Sequence, residues 1–244
     1  MNRLSVIVTT LNAINQIGLL FDSLARQENK QFDVIIVDAN STDGTIDFIR
    51  TSKLQVTLII SPGASIYEGI NIGIQASKNE YYLVCGSDDI LFPEAVGIIL
   101  NDISAGTDND LLLYAVKKDE IVCKPYKPTP WKKTMGWQSI VASHSVGSVI
   151  RKNLHYEFGF YSPKYNILAD GYFFSKVLQT DRNIFISNDM IGSFSVKGIS
   201  SRNLYRNIFA TFLIQIEARS FFPQLLLLIY RLAKHRKTVL HPVE

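Results

Sequence analysis

Phe32-Asp33-Val34-Ile35-Ile36-Val37 runs directly into Asp38-Ala39-Asn40-Ser41-Thr42-Asp43-Gly44. A β-branched apolar run this short fits a strand buried on both faces. The polar cluster behind it is a dense turn signal, and a helix over Thr45–Thr51 is expected next. Working outward, residues 4–9 form a second run of the same kind. Asn12 is placed to cap a helix over residues 14–26, with Ile17, Leu20, Phe21 and Leu24 on one face. Downstream, residues 54–60 read as a strand, Ile66–Ala76 as a helix, Tyr81–Cys85 as a strand, and Pro93 starts another helix. This alternation predicts right-handed βαβ units and a parallel sheet. Ligands bind beyond the carboxyl ends of such strands. Thr9-Thr10, residues 38–43 and Ser87-Asp88-Asp89 all fall there.

The rhythm changes near Asp110. Residues 111–116 and 121–124 read as two strands, followed by a Pro- and Lys-rich loop over 125–133 that is expected to be mobile. A helix is expected near 170–179, with short strands near 183–187 and 191–196. The tail differs again: residues 203–217 form a helix candidate, and residues 221–233 are strongly apolar, with Leu225-Leu226-Leu227-Leu228-Ile229 at the centre. That run falls short of the roughly 20 residues needed to span a bilayer. From Arg202 to Lys237 there are seven Lys or Arg and one Glu. An apolar segment beside such a cluster fits either an interfacial helix on an anionic membrane or a helix packed on the core with a solvated basic face.

The 244 residues are 47% hydrophobic and 19% charged, enough for a sizeable core. A net charge of +3 excludes the electrostatic footprint of a nucleic-acid binder. Cys85 and Cys123 have no ligand-like spacing, so zinc is not expected, and they read as thiols in a reducing compartment. The start, Met1-Asn2-Arg3-Leu4-Ser5, reads as a first strand and not a signal peptide, which favours the cytoplasm.

Several residues carry two readings. The adjacent carboxylates of Asp88 and Asp89 are a surface turn ahead of a helix, or a pair whose repulsion a divalent cation relieves. Asp38 and Asp43 are turn formers, or contacts to a nucleotide. Asp170 is a helix N-cap, or a general base facing a pocket. His144 is a structural histidine or a ligand contact.

Taken together, these segments resemble family 2 glycosyltransferases. Ser5-Val6-Ile7-Val8-Thr9-Thr10-Leu11-Asn12 is similar to their opening strand and turn. Residues 37–45 are similar to their nucleotide-binding turn, and Ile66-Tyr67-Glu68-Gly69-Ile70-Asn71-Ile72-Gly73-Ile74 to their third segment. Ser87-Asp88-Asp89 resembles their DXD-type metal motif. His144, Ala169-Asp170-Gly171-Tyr172 and Gly198-Ile199-Ser200-Ser201 match later landmarks of a subgroup that builds bacterial surface polysaccharides (O-antigen, capsule or exopolysaccharide). The likeness runs over residues 4–201.

The resemblance implies an α/β GT-A fold. A Rossmann-like nucleotide-sugar-binding half (1–109) with a mostly parallel central sheet would join an acceptor-side half (110–202), followed by a C-terminal helical tail (203–244). It implies an inverting enzyme that uses Mn²⁺ or Mg²⁺, with a nucleoside diphosphate sugar as donor, a UDP-sugar being favoured. The acceptor would be a saccharide, polyprenyl-diphosphate-linked in many relatives, at the cytoplasmic face of the inner membrane. Carried over by position, Thr9, Thr10, Asn12, Asp38, Ser41 and Asp43 lie on the donor side. Asp88 would touch ribose or phosphate, Asp89 would ligate the metal, and Asp170 would be the catalytic base. His144 and Ser200 would contact acceptor or phosphate. Ala39 departs from the pattern, standing where many relatives carry a second Asp that contacts the base. Gly63-Ala64-Ser65 and Lys197 depart as well. Two rival readings are a sugar-1-phosphate nucleotidyltransferase and a non-catalytic nucleotide-sugar scaffold. The first would need a Gly-rich basic loop where Thr9-Thr10-Leu11-Asn12 stands. The second would be expected to lose Asp89 or Asp170.

Overall fold

The two apolar runs that open the chain form β1 (Leu4–Thr10) and β2 (Phe32–Asp38), paired in parallel with Thr10 opposite Asp38. The computed structural model describes residues 3–106, 108–141, 144–165, 168–194, 204–218 and 221–235. α1 (Ile17–Ala25) and α2 (Thr45–Thr51) follow their strands, and β3 (Thr57–Ile60) adds to β2 in parallel. α3 (Ile66–Ala76) then crosses to β4 (Tyr81–Cys85), which pairs with the other edge of β1.

α3 begins with a reciprocal cap. Ser65 Oγ accepts the Glu68 N–H, and the Glu68 carboxylate accepts the Ser65 N–H. Gly69 and Gly73, one turn apart, let α3 lie close on β1. A Cβ on Gly73 would sit 2.5 Å from Ile7 Cγ2, and one on Gly69 2.8 Å from Thr9 Cγ2. Because α3 is the crossover between parallel strands, its first turn lies at their carboxyl ends.

The second half continues the same sheet in mixed orientation. β5 (Ile90–Leu91) and α4 (Ala95–Ala105) precede β6 (Leu111–Lys118) and its hairpin partner β7 (Ile121–Cys123). After α5 (Pro130–Met135), β8 (Ser148–Arg151) wedges antiparallel between β4 and β6. α6 (Leu154–Phe158), α7 (Ala169–Val177) and β9 (Ile184–Phe194) complete it. Among the described residues the sheet has nine strands in the order β3-β2-β1-β4-β8-β6-β9-β5, with β7 paired to β6. Alternation along β1 divides the core. Leu4, Val6 and Val8 face α1, α2 and α4, while Ile7 faces α3, α6 and α7.

Several boundaries differ from expectation. α1 starts at Ile17 with no side-chain cap, because Asn12, at φ 51°, spends its amide oxygen on the Thr42 N–H instead. β3 starts at Thr57 and not at 54. The two strands expected near 183–187 and 191–196 are, as far as Phe194, one bulged strand, β9, in parallel with β6; residues 195 and 196 lie outside the described residues. The 125–133 loop ends in α5, capped by Thr129 with Pro130 at its first position. The tail forms α8 (Leu204–Ala218) and α9 (Phe221–Lys234), which pack together through Ile208, Phe212 and Leu228. Their inner face lies on the molecule: Gln215 and Arg231 both bond the Met135 carbonyl, and Gln224 bonds that of Thr134. No helix among the described residues is long and apolar enough to cross a membrane.

Candidate active site

Parallel register alone brings the first cluster together. Thr10 and Asp38 end adjacent strands as partners, and the Thr10 hydroxyl donates to Asp38 Oδ2 at 2.5 Å. Ser41 completes the unit with its N–H on Oδ1 (2.6 Å) and its hydroxyl on Oδ2 (2.7 Å). Asp38 is 0% exposed, so in this state its carboxylate shapes the turn and faces no open pocket. The Asn12 N–H donates to Ser41 Oγ. Asp43 accepts from Ile14 N–H, Thr45 N–H and Thr45 Oγ. Asn12 and Asn40 both adopt left-handed backbone where the chain leaves β1 and β2, a conformation asparagine tolerates. The donor-side residues Thr10, Asn12, Asp38, Ser41 and Asp43 therefore form one braced pair of turns. Thr9 is half-buried beside them, its methyl against Gly69.

The second cluster follows β4. Gly86 lets two carboxylates fold back over the backbone: a Cβ there would lie 2.9 Å from Asp88 Oδ1 and 3.3 Å from Asp89 Oδ2. The Gly86 N–H donates to Asp89 Oδ2 at 2.6 Å. Asp88 is the half-exposed member of the pair, and Asp89 is 1% exposed. Burial, with the Asp88 charge adding, pushes the Asp89 carboxyl up to about 8. Gln16, just ahead of α1, donates to Ser87 Oγ and ties this turn to the first cluster.

His144 is brought to the same place from far along the chain. Its Nδ1 lies 3.6 Å from Asp89 Oδ2 and accepts the Val146 N–H, and its ring stacks on Phe194 at 4.2 Å. Burial lowers its pKa to about 4, so the imidazole is neutral. A carboxylate oxygen and a nitrogen lone pair at this separation repel unless a proton or cation intervenes. Two carboxylates and an imidazole are donors that Mn²⁺ or Mg²⁺ accepts. Among the described residues no group of three or more His, Cys, Asp or Glu side chains is arranged as a metal cage. The residue types suit Mn²⁺ or Mg²⁺, but the described residues alone do not form a metal site.

Asp170 enters from the other half of the chain. It is not an N-cap: Leu168 holds that position, and Asp170 sits in the first turn of α7. The Tyr67 hydroxyl, in the first turn of α3, donates to Asp170 Oδ1 at 2.7 Å, and the Gly171 N–H donates to the same oxygen at 2.8 Å. That anchors Asp170 to the carboxyl-end edge of the sheet, where the donor-side turns lie. Asp170 keeps partial exposure, and burial raises its carboxyl above the usual range while the two hydrogen bonds pull the other way. One turn along α3, Asn71 clamps the backbone of Tyr161 through both N–H and C=O. Tyr161 is joined in turn to Tyr82, and Tyr82 to His155. Tyr67, which holds Asp170, packs its ring on Tyr161 at 5.6 Å, so this buried network lies beside the Asp170 anchor.

The structure therefore brings Asp88, Asp89 and His144 together, and Thr10, Asp38 and Ser41 together. Ser200, expected as an acceptor or phosphate contact, lies outside the described residues. Tyr67, Asn71 and Gln16 escaped sequence reasoning. The signal available for two of them was a polar pair four residues apart, Tyr67 and Asn71, on one side of α3.

A model of the family described as Glycosyl transferase family 2 matches residues 5–166. A PGL/p-HBAD biosynthesis glycosyltransferase of Mycobacterium bovis is 34% identical over 92 residues, 36% of this chain and 36% of that protein. The match thus spans about a third of that relative's length. Among solved structures, residues 1–349 of S. aureus TarS in complex with UDP-GlcNAc superpose with a TM-score of 0.65 at 19% identity, covering 97% of this chain and 73% of that one. A mannosyltransferase of Pyrobaculum calidifontis, solved with GDP-Man and Mn²⁺, gives 0.66 at 15% identity, covering 96% and 75%. At such identities the likeness shows the fold, and it is the GT-A fold that the motifs implied.

Proposed function

The chain belongs to glycosyl transferase family 2, and on that premise we propose that it moves a sugar from a nucleoside diphosphate sugar to a saccharide hydroxyl, with inversion at the anomeric carbon. The observation that carries this reading is Asp170: a carboxylate with raised basicity, held by Tyr67 at the carboxyl-end edge of the sheet.

The donor lies along that edge, over the turns braced by Thr10, Asn12, Asp38, Ser41 and Asp43. Asp89, with Asp88 beside it and His144 against it, is the proposed holder of Mn²⁺ or Mg²⁺. When bound, that ion supplies positive charge against the leaving diphosphate. Oδ1 of Asp170 is occupied by two donors, so Oδ2 is the oxygen that takes the proton from the acceptor hydroxyl. As that O–H bond breaks, the hydroxyl oxygen bonds to C1. The C1–O bond to the diphosphate breaks on the opposite face, and its electron pair leaves with the nucleotide. Tyr67 and Gly171 hold the carboxylate in register through the step.

A UDP-sugar is the first donor to try. The acceptor class we favour is a growing surface polysaccharide, and the compartment the cytoplasmic side of the inner membrane. Thermal shift with a panel of nucleoside diphosphate sugars and Mn²⁺ tests the assignment, because a bound donor raises apparent stability by mass action. Stabilisation by one donor, deepened by Mn²⁺ and accompanied by turnover, is the expected result. Stabilisation with no hydrolysis or transfer would favour the scaffold reading. Release of pyrophosphate from a sugar-1-phosphate and a nucleoside triphosphate would favour the nucleotidyltransferase.

A further inference from the structure

Eighteen large apolar side chains stay exposed among the described residues, and eight of them are on α8 and α9, helices of 15 and 14 residues. They are not scattered. Tyr205, Phe209 and Leu213 recur at four-residue spacing along one stripe of α8, and Phe222, Leu226 and Ile229 form the matching stripe on α9. Phe222 and Leu226 are 77% and 69% exposed. The opposite faces, through Thr211 and Gln215 on α8 and Gln224 and Leu228 on α9, are buried, so both stripes point away from the molecule. A contiguous apolar face of this kind marks an interaction surface.

Its charge is one-sided. The described hairpin carries Arg206, Arg231 and Lys234, and its one acid, Glu217, is paired with Lys164. Arg231 donates to Gln215 Oε1 and the Met135 carbonyl, both neutral acceptors, and makes no ion pair among the described residues. Together with Lys234, His235 and the polar side chains of Gln138 and Thr211 it lines a cavity of about 420 Å³ beneath α9. α5, which Gln224 and Arg231 hold against α9, adds Trp131 at 70% exposure. An aromatic and aliphatic face rimmed by cations is what the boundary of an anionic bilayer accepts. A second copy of the same face would set cations against cations, since a two-fold interface joins a patch to itself.

We propose that the outer face of the α8–α9 hairpin docks on an anionic lipid bilayer, with the exposed cations Arg206 and Lys234 at its rim facing the headgroup phosphates. The helices lie in the interface and do not cross it. The surface stands apart from the residues assigned to sugar transfer, so it holds or fails independently of that assignment.

Flotation of the full chain with phosphatidylcholine vesicles, with and without phosphatidylglycerol, tests it. Binding is expected to the anionic vesicles and to weaken with salt. The double variant Leu226→Asp/Ile229→Asp changes two exposed side chains. It should keep the wild-type melting temperature and donor hydrolysis while losing about tenfold or more in vesicle binding. Lys234→Gln should lose about fivefold on anionic vesicles only. Absence of binding to anionic vesicles, or equal binding by the double variant, overturns the proposal. So does a dimer in solution that the double variant abolishes while vesicle binding stays absent, because the face then belongs to a second copy.

Discussion

Replacing Tyr67 by phenylalanine keeps the ring that packs near Tyr161 and removes a single oxygen. That oxygen is one of two donors on Asp170 Oδ1, at 2.7 Å and partly buried. A hydrogen bond to a charged group is worth about 1.5–3 kcal/mol. It favours the ionised carboxylate, so its loss raises the Asp170 pKa further. At 1.36 kcal/mol per unit, the rise is roughly 1–2 units. A base must be deprotonated to act, so activity is lost as pH falls through that pKa. In the variant the acid limb of the kcat/KM profile should therefore move to higher pH by about 1–2 units. The groups that bear on Asp170 beside Tyr67 are Tyr82 and Tyr161, whose pKa values are raised by burial and by the Asp170 charge itself, so neither ionises across the range of the experiment. Donor hydrolysis, followed across pH at constant ionic strength, gives the profile without knowledge of the acceptor. A melt in parallel separates pH inactivation from unfolding. An acid limb at the same pH in both proteins, with both still folded, would refute the argument that Tyr67 tunes this carboxylate.

Other substitutions probe the remaining parts. The Asp89 carboxyl ionises near pH 3.9 when unfolded and near 8 in the fold. Between those values the native state holds a proton that the unfolded chain has released, so stability falls as pH rises through the window. Asp89→Asn removes that titration. In metal-free buffer near pH 8 the variant should be more stable than wild type by roughly 2–5 kcal/mol, seen as a higher denaturation midpoint, and it should lose metal-stimulated turnover; a less stable variant would contradict the burial argument. Gly73→Ala drives a Cβ to within 2.5 Å of Ile7 Cγ2 and should cost about 1–3 kcal/mol, read by urea denaturation. An unchanged midpoint would show that α3 is not seated tightly on β1.

The sequence made the first half of the fold legible because β1, β2 and β4 are buried for most of their length and read as short, largely apolar runs. β8 carries no such mark. Its four residues gain their meaning from pairing with β4 and β6, contacts distant in the chain. The apolar pattern of β9 breaks at Asn188 and Asp189, so its sequence reads as two strands, whereas a bulge against β6 carries one strand through them. The site was legible as residue types and not as states. Asp38 could be recognised as a turn carboxylate, but its complete enclosure by Thr10 and Ser41 depends on strand register. The approach of His144 to Asp89 depends on the turn after β4 meeting the segment before β8, which no local pattern encodes. The Tyr67–Asp170 bond spans 103 positions and joins the two halves of the chain.

The account rests on one carboxylate, and Asp170→Asn isolates it, since the amide keeps the size and removes the basicity. Donor affinity by calorimetry and turnover of the same donor should separate. Affinity should stay within a fewfold of wild type, and turnover should fall by roughly 10²-fold or more, the usual range for loss of a general base. An Asp170→Asn protein that turns over its donor at the wild-type rate would contradict the account.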